Sequence, residues 1–212
     1  MKKFNNILHI KKVVLNYVKN NYKEYILTSV IFIIGLFFGV IVVNNLNQDK
    51  ANMISDYIIQ FINVFKQNNQ IDKNELFILS IRNNLLLTAI LWIAGTTILG
   101  MPVVLGIILH RGFCLGTTIS SISMALGMKK GIVFCFITLF LKNIFFIPAI
   151  ITIGVSSIKL YKSIISDRRK ENIKIQIFSH TIISLLMLLF LIFSSFLENE
   201  VSVGFLKFFI KS

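Results

Sequence analysis

The sequence predicts an all-α integral membrane protein with about five transmembrane helices and short interfacial amphipathic helices. Of its 212 residues, 55% are hydrophobic and only 15% charged, too little charge to cover the surface of a soluble domain. Mean hydropathy is +0.78, and several runs reach the roughly 20 apolar residues that a helix needs to cross hydrocarbon. Twenty Phe and six Met against two Pro favour long helices over a many-stranded barrel.

The elements follow in order. Residues 1–24 form a cytoplasmic basic segment. Lys2, Lys3, Lys11, Lys12, Lys19 and Lys23 surround Phe4, Ile7, Leu8, Val14, Leu15, Val18 and Tyr22, which fall at helical spacing. Such a helix lies in the membrane interface. The polytopic domain, residues 25–200, opens with a first span over 25–43. That run is too long for a cleaved signal core and ends in Val42-Val43-Asn44-Asn45 with no small-x-small site, so it is a permanent anchor. Gly35 and Gly39 make a small-xxx-small pair that admits a second helix.

Residues 44–84 form a polar outer loop, whose acids Asp49, Asp56, Asp72 and Glu75 balance the bases Lys50, Lys66, Lys73 and Arg82. Within it, Ile54, Tyr57, Ile58, Phe61 and Phe65 give one apolar face to a helix over Ala51–Lys66. At about 1.5 Å per residue that helix is too short to span, and it lies on the outer surface against lipid or a partner.

From Leu85 to Leu126 the chain is almost continuously apolar, enough for spans over about 85–101 and 103–126. Gly100-Met101-Pro102 is the natural break, because Pro102 lacks an amide hydrogen and restricts Met101. One crossing plus a re-entrant segment is the alternative. A fourth span covers about 132–153, interrupted by Lys142-Asn143 and Pro148. A basic cytoplasmic loop, 156–175, carries six Lys or Arg against Asp167 and Glu171. The fifth span covers about 177–197, and residues 201–212 make a short interfacial tail. The two dense basic blocks place the amino terminus in the cytoplasm and the carboxyl terminus outside. Lys129 and Lys130 then lie outside, against the rule, but are outweighed.

The net charge of +13 follows these flanking blocks and no nucleic-acid motif accompanies it, so lipid headgroups rather than nucleic acid are the expected polyanion. Cys114 and Cys135 sit inside apolar stretches and read as packed thiols. His9, His110 and His180 have no metal-ligand spacing. Asp72 with Glu75 and Glu198 with Glu200 read as solvated surface pairs rather than a carboxylate dyad. Ser156-Ser157-Ile158-Lys159 resembles an S-x-x-K nucleophile motif, but its companion motifs are missing. Without a phosphate loop or dinucleotide fingerprint, the expectation is a protein that is no enzyme and needs no cofactor or metal.

The informative residues are polar ones near or inside spans: Arg111, Lys142, Asn83, Asn84 and Asn143. A central charge costs about 2.5–3.5 kcal/mol on insertion scales, so each should face protein, water or the interface. Three readings compete: packing within the monomer, binding of another protein's membrane anchor, and a conduction path. No Asp or Glu falls within the expected spans, which disfavours a proton relay and leaves Arg111 and Lys142 without an internal acid.

One order of features carries a resemblance. Arg82-Asn83-Asn84 is followed by Gly95, Gly100, Gly106, His110-Arg111-Gly112 and Gly116, then by Lys142-Asn143 and Pro148-Ala149. This order resembles the stage II sporulation protein M family, over roughly residues 20–200. Arg111 stands where that family usually has Asn before the glycine. The resemblance implies a membrane scaffold acting in engulfment at the sporulation septum, and it implies two wall-degrading partners, stage II sporulation proteins D and P. It also makes Asn83, Asn84, Gly95, Gly100, Arg111, Gly112, Gly116, Lys142, Asn143 and Pro148 the residues to examine for partner contact or helix packing. The alternative function is a small membrane transporter or transporter accessory, disfavoured by the lack of intramembrane acids and of an internal repeat.

Overall fold

The computed structural model describes residues 12, 14–67, 73–97, 100–166 and 170–199. Among them there is no strand, and residues 14–20 are helical. Six long helices follow: α1 (Tyr22–Asn44), α2 (Gln48–Gln67), α3 (Lys73–Thr96), α4 (Gly100–Leu126), α5 (Met128–Ser166) and α6 (Lys170–Leu197). All but α2 are long and apolar enough to cross a membrane, which gives five candidate spans and a multi-pass membrane protein. Most of the basic amino-terminal segment and the expected interfacial tail lie outside the described residues.

Leu85–Leu126 resolves into two long helices, each long and apolar enough to cross a membrane. The break falls just ahead of Gly100, and Pro102 sits in the first turn of α4. There its missing amide hydrogen costs nothing, since first-turn amides have no helical acceptor. α3 also begins well before the apolar run, at Lys73. The larger difference is in α5, a single helix of 39 residues that passes through Pro148 and continues to Ser166. The segment expected as a basic loop over 156–175 is therefore mostly helix. Burial explains it: Gly154 to Ile158 are all buried, so this stretch is core rather than a solvated connection. α4 and α5 are joined at Gly127, whose φ of +81° is a conformation that glycine adopts without strain.

α5 lies at the centre. Phe146, Ala149, Ile150 and Ile153 pack with Leu87, Leu91 and Ala94 of α3, Val104 and Ile108 of α4, Leu191 of α6 and Phe32 of α1. The outer faces expose Ile33, Phe37, Phe38, Leu185, Leu189 and Phe190, an apolar coat suited to lipid.

α1 and α4 run parallel and touch through glycine. Gly35 and Gly39 meet the backbone around Leu109 and Phe113, while Gly112 and Gly116 meet the backbone at Phe32 and Leu36. A Cβ at any of the four would collide with a carbonyl oxygen of the facing helix: Leu109, Phe113, Phe32 or Leu36. Without a hydrophobic driving force between helices in lipid, such close backbone approach supplies the attraction through dispersion.

Polar contacts tie both ends. At the end where α1 begins, Lys162 pairs with Glu24 at 2.5 Å and Tyr25 lies 3.2 Å from Thr152. At the opposite end, the Ser120 hydroxyl donates to Asn44 at 3.0 Å. α2 packs on α4 at that opposite end. Its expected single apolar face is divided: Ile54 and Ile58 are half-buried, while Tyr57 and Phe61 are exposed.

Candidate functional site: a polar cavity at mid-depth

The polar residues within the spans converge. Asn83 and Asn84 of α3, Arg111 of α4, and Lys142 and Asn143 of α5 line one cavity of about 440 Å³. Ser80, Thr118, Ser195, Glu198 and Asn199 complete its polar wall, and Leu76, Leu79, Leu115, Leu139 and Phe146 its apolar wall. Phe61 of α2 also borders it.

Helical spacing brings these groups together. Ser80 and Asn84 are four apart, so they share one face of α3. Asn84 donates to the Leu191 carbonyl at 3.1 Å and to the Ser195 hydroxyl at 2.7 Å, joining α3 to α6. Ser80 lies 3.0 Å from the Ser195 hydroxyl and donates to Glu198 at 2.8 Å. Lys142 donates to the other oxygen of Glu198 at 2.6 Å, and the Ser194 hydroxyl donates to the Lys142 carbonyl at 2.9 Å. Three helices thus share one network.

The depth of this network follows from its neighbours. Arg111 adjoins Gly112, which abuts Phe32 and Leu36, and these lie midway along α1. The Arg111 guanidinium sits 5.9 Å from the centre of the Phe146 ring, one turn along α5 from Lys142. Both cations therefore lie near the middle of the span of α1, where an unpaired charge is costly.

Among the described residues no acid within the spans serves Lys142, and its partner comes from just beyond them. Glu198, read from sequence as half of a solvated pair with Glu200, instead closes onto Lys142 just beyond α6. Each side chain is partly buried, at 26% and 33% exposure, so the pair is neither fully desolvated nor screened as a surface pair would be. Among the described residues Arg111 has no such acid. Among the described residues its one charge-directed contact is the Phe146 ring, a cation–π geometry.

The remaining residues singled out from sequence lie elsewhere. Gly112 and Gly116 serve the α1–α4 contact, and Gly100 packs on Ala94 at the start of α4. Gly95 abuts Ser157 and His180, and His180 lies 3.0 Å from the Ser156 hydroxyl. Pro148 is exposed and does not line the cavity. Its carbonyl accepts from Thr152 at 2.8 Å.

A family model described as stage II sporulation protein M matches residues 28–202, most of the chain. The chain belongs to this family. It is accordingly a sporulation-related, multi-pass membrane protein. Comparison with curated proteins and with solved structures finds no match. The family's match begins within α1 and ends just past Glu198, so it takes in every residue that lines the cavity.

Sequence reading missed Ser80, Thr118, Ser195, Glu198 and Asn199. Ser80 and Ser195 are ordinary in an apolar helix, where a hydroxyl often satisfies its own backbone. Glu198 carried a usable signal. It is the first acid after a long apolar run, in a chain whose Lys142 lacked a counter-ion within the spans.

Chemically the site can hold and orient an anionic or hydrogen-bonding group at mid-depth. Among the described residues no group of three His, Cys, Asp or Glu is placed to hold a metal ion. The cavity-lining charges are two cations and one carboxylate, and that carboxylate is already committed to Lys142.

Proposed function

We propose that this protein is a non-enzymatic scaffold of a peptidoglycan-remodelling complex acting in engulfment during endospore formation. In this reading it recruits and anchors two wall hydrolases, the stage II sporulation proteins D and P, at the sporulation septum. The observation that carries it is the mid-depth cavity of amides, hydroxyls and one unneutralised cation, in a chain of this family. A membrane-embedded polar notch suits capture of another protein's anchor, because a buried polar contact in lipid is directional and specific.

In this reading the amino terminus and the basic 156–175 segment face the cytoplasm, and α2 faces the wall, where an exposed Tyr57 and Phe61 offer a second contact. Charge counts support this orientation: the amino-terminal segment and the 156–175 segment carry six Lys or Arg each.

The test is affinity purification from sporulating cells, with the captured proteins identified. Both hydrolases should be recovered, and deletion of the gene should mislocalise them and block engulfment. The purified protein alone should release nothing from peptidoglycan. Normal engulfment in the deletion strain, or wall cleavage by the pure protein, defeats the reading.

A further inference from the structure

The cavity does not end at the polar network. On the other side of Arg111 it meets a shallow groove of about 400 Å³ between α3 and α4, lined by Leu87, Ile90, Val103, Gly106, Ile107 and His110. Arg111 borders both spaces. The floor of the groove is open at Gly106, where a Cβ would meet nothing within 4 Å. In contrast, Gly35, Gly39, Gly112 and Gly116 are each filled by a facing backbone. A glycine on an open helix face, beside apolar walls, is the arrangement that lets another helix approach closely in lipid.

Charge defines the occupant further. Lys142 is neutralised by Glu198, and Glu24 by Lys162, so neither acid is free for Arg111. The spans contain one other acid, Glu75, at the far start of α3. Among the described residues Arg111 therefore stands as a surplus positive charge at mid-depth, where pairing is strongly favoured.

We infer that the α3–α4 groove receives a single transmembrane helix of another protein, bearing one carboxylate near its midpoint that pairs with Arg111. This deepens the scaffold reading, on which it rests, by giving the partner's anchor a chemistry. A lipid phosphate fits less well, because phosphates stay at headgroup level whereas Arg111 lies level with the middle of α1. The groove also continues past Arg111 along Ile107 to Val103, toward the start of α4, away from the polar network. A second copy of this chain would bring, among the described residues, no acid to that depth beyond those already paired. Arginine suits the task because its planar fork accepts a carboxylate in two parallel hydrogen bonds.

The test uses the full chain in vesicles of zwitterionic lipid, with labelled poly-leucine transmembrane peptides read by energy transfer. One peptide carries a central Glu, one a central Gln and one neither. The Glu peptide should bind at least about tenfold more tightly than the all-leucine peptide. That preference should vanish in Arg111→Met and survive in Arg111→Lys. Gly106→Leu, whose Cβ would meet nothing within 4 Å, should block all peptides while leaving thermal stability unchanged. Equal binding of the Glu and all-leucine peptides overturns the proposal. So does undiminished binding to Gly106→Leu, or loss of the Glu preference when phosphatidylglycerol is added, which would assign Arg111 to lipid. Because no hydrolase is present, these failures leave the scaffold reading to its own purification test.

Discussion

Glu198, the residue immediately beyond α6, lies 2.6 Å from Lys142, whose place near mid-depth would otherwise leave a bare ammonium in hydrocarbon. The pair locks the end of α6 to α5, and Ser80 adds α3 through the second carboxylate oxygen. A lone central charge costs about 2.5–3.5 kcal/mol on insertion scales, so the two residues protect each other from that penalty.

The first prediction follows directly. Lys142→Leu strands Glu198, and Glu198→Leu strands Lys142. Each should lower stability by about 1–3 kcal/mol, less than a fully buried pair because both side chains are partly exposed. The double variant should recover most of the loss, a coupling read by a double-mutant cycle of unfolding in mixed micelles. Additive losses would mean that the two charges do not act on each other.

The glycine contact between α1 and α4 predicts a sharp positional contrast. Gly112→Ala or Gly35→Ala should destabilise the bundle by about 1–3 kcal/mol, since the new methyl meets backbone that cannot move aside. Gly106→Ala, with open space before it, should be neutral or slightly stabilising through helix propensity. Thermal unfolding of the three variants decides the matter, and equal effects at Gly106 and Gly112 would contradict the packing described.

Orientation is checked by labelling in a background with Cys114 and Cys135 replaced. A cysteine at the exposed Asn52 of α2 should react with an impermeant reagent in intact cells, while one at the exposed Lys174 of α6 should not. The reverse pattern inverts the proposed topology.

Tyr17, in the helical stretch ahead of α1, has a buried hydroxyl and sits with the Lys159 ammonium 5.5 Å over its ring. Burial pushes its phenol up to about 12, from an ordinary value of 10.0. A raised folded value means that docking of this stretch is fully favoured below pH 10 and weakens as pH rises toward 12. Phenolate absorbance of the wild type minus Tyr17→Phe should therefore show no titration near pH 10 in the folded protein. A difference curve centred there would show Tyr17 to be solvated.

Sequence alone carried the membrane class and the five apolar helices, because lipid imposes a length and polarity rule that reads locally. Asn83, Asn84, Arg111, Lys142 and Asn143 were legible as a group, because polar side chains are conspicuous within apolar runs. Their convergence on one cavity was not legible, since it depends on helix rotation, which apolar residues on every face do not specify. The continuation of α5 to Ser166 was hidden for a related reason. Lys159 and Lys162 mark a solvated loop by composition, yet Ile158 and Leu160 are buried beside them. Glu198 was misread because its neighbour Glu200 suggested a pair, while its true partner is 56 residues away.

The parallel arrangement of α1 and α4 has a bearing on biosynthesis. Two helices that enter the bilayer in the same direction cannot meet as a hairpin. α1 must leave the insertion machinery and wait, its Gly35 and Gly39 uncovered, until α2, α3 and then α4 have been made. During that interval the glycine face is open to any neighbouring helix, so a ribosome stalled before α4 leaves a fragment prone to wrong pairing and to quality-control proteolysis. Completion of α4 is thus the step at which the nascent chain stops being a loose set of anchors and becomes a bundle.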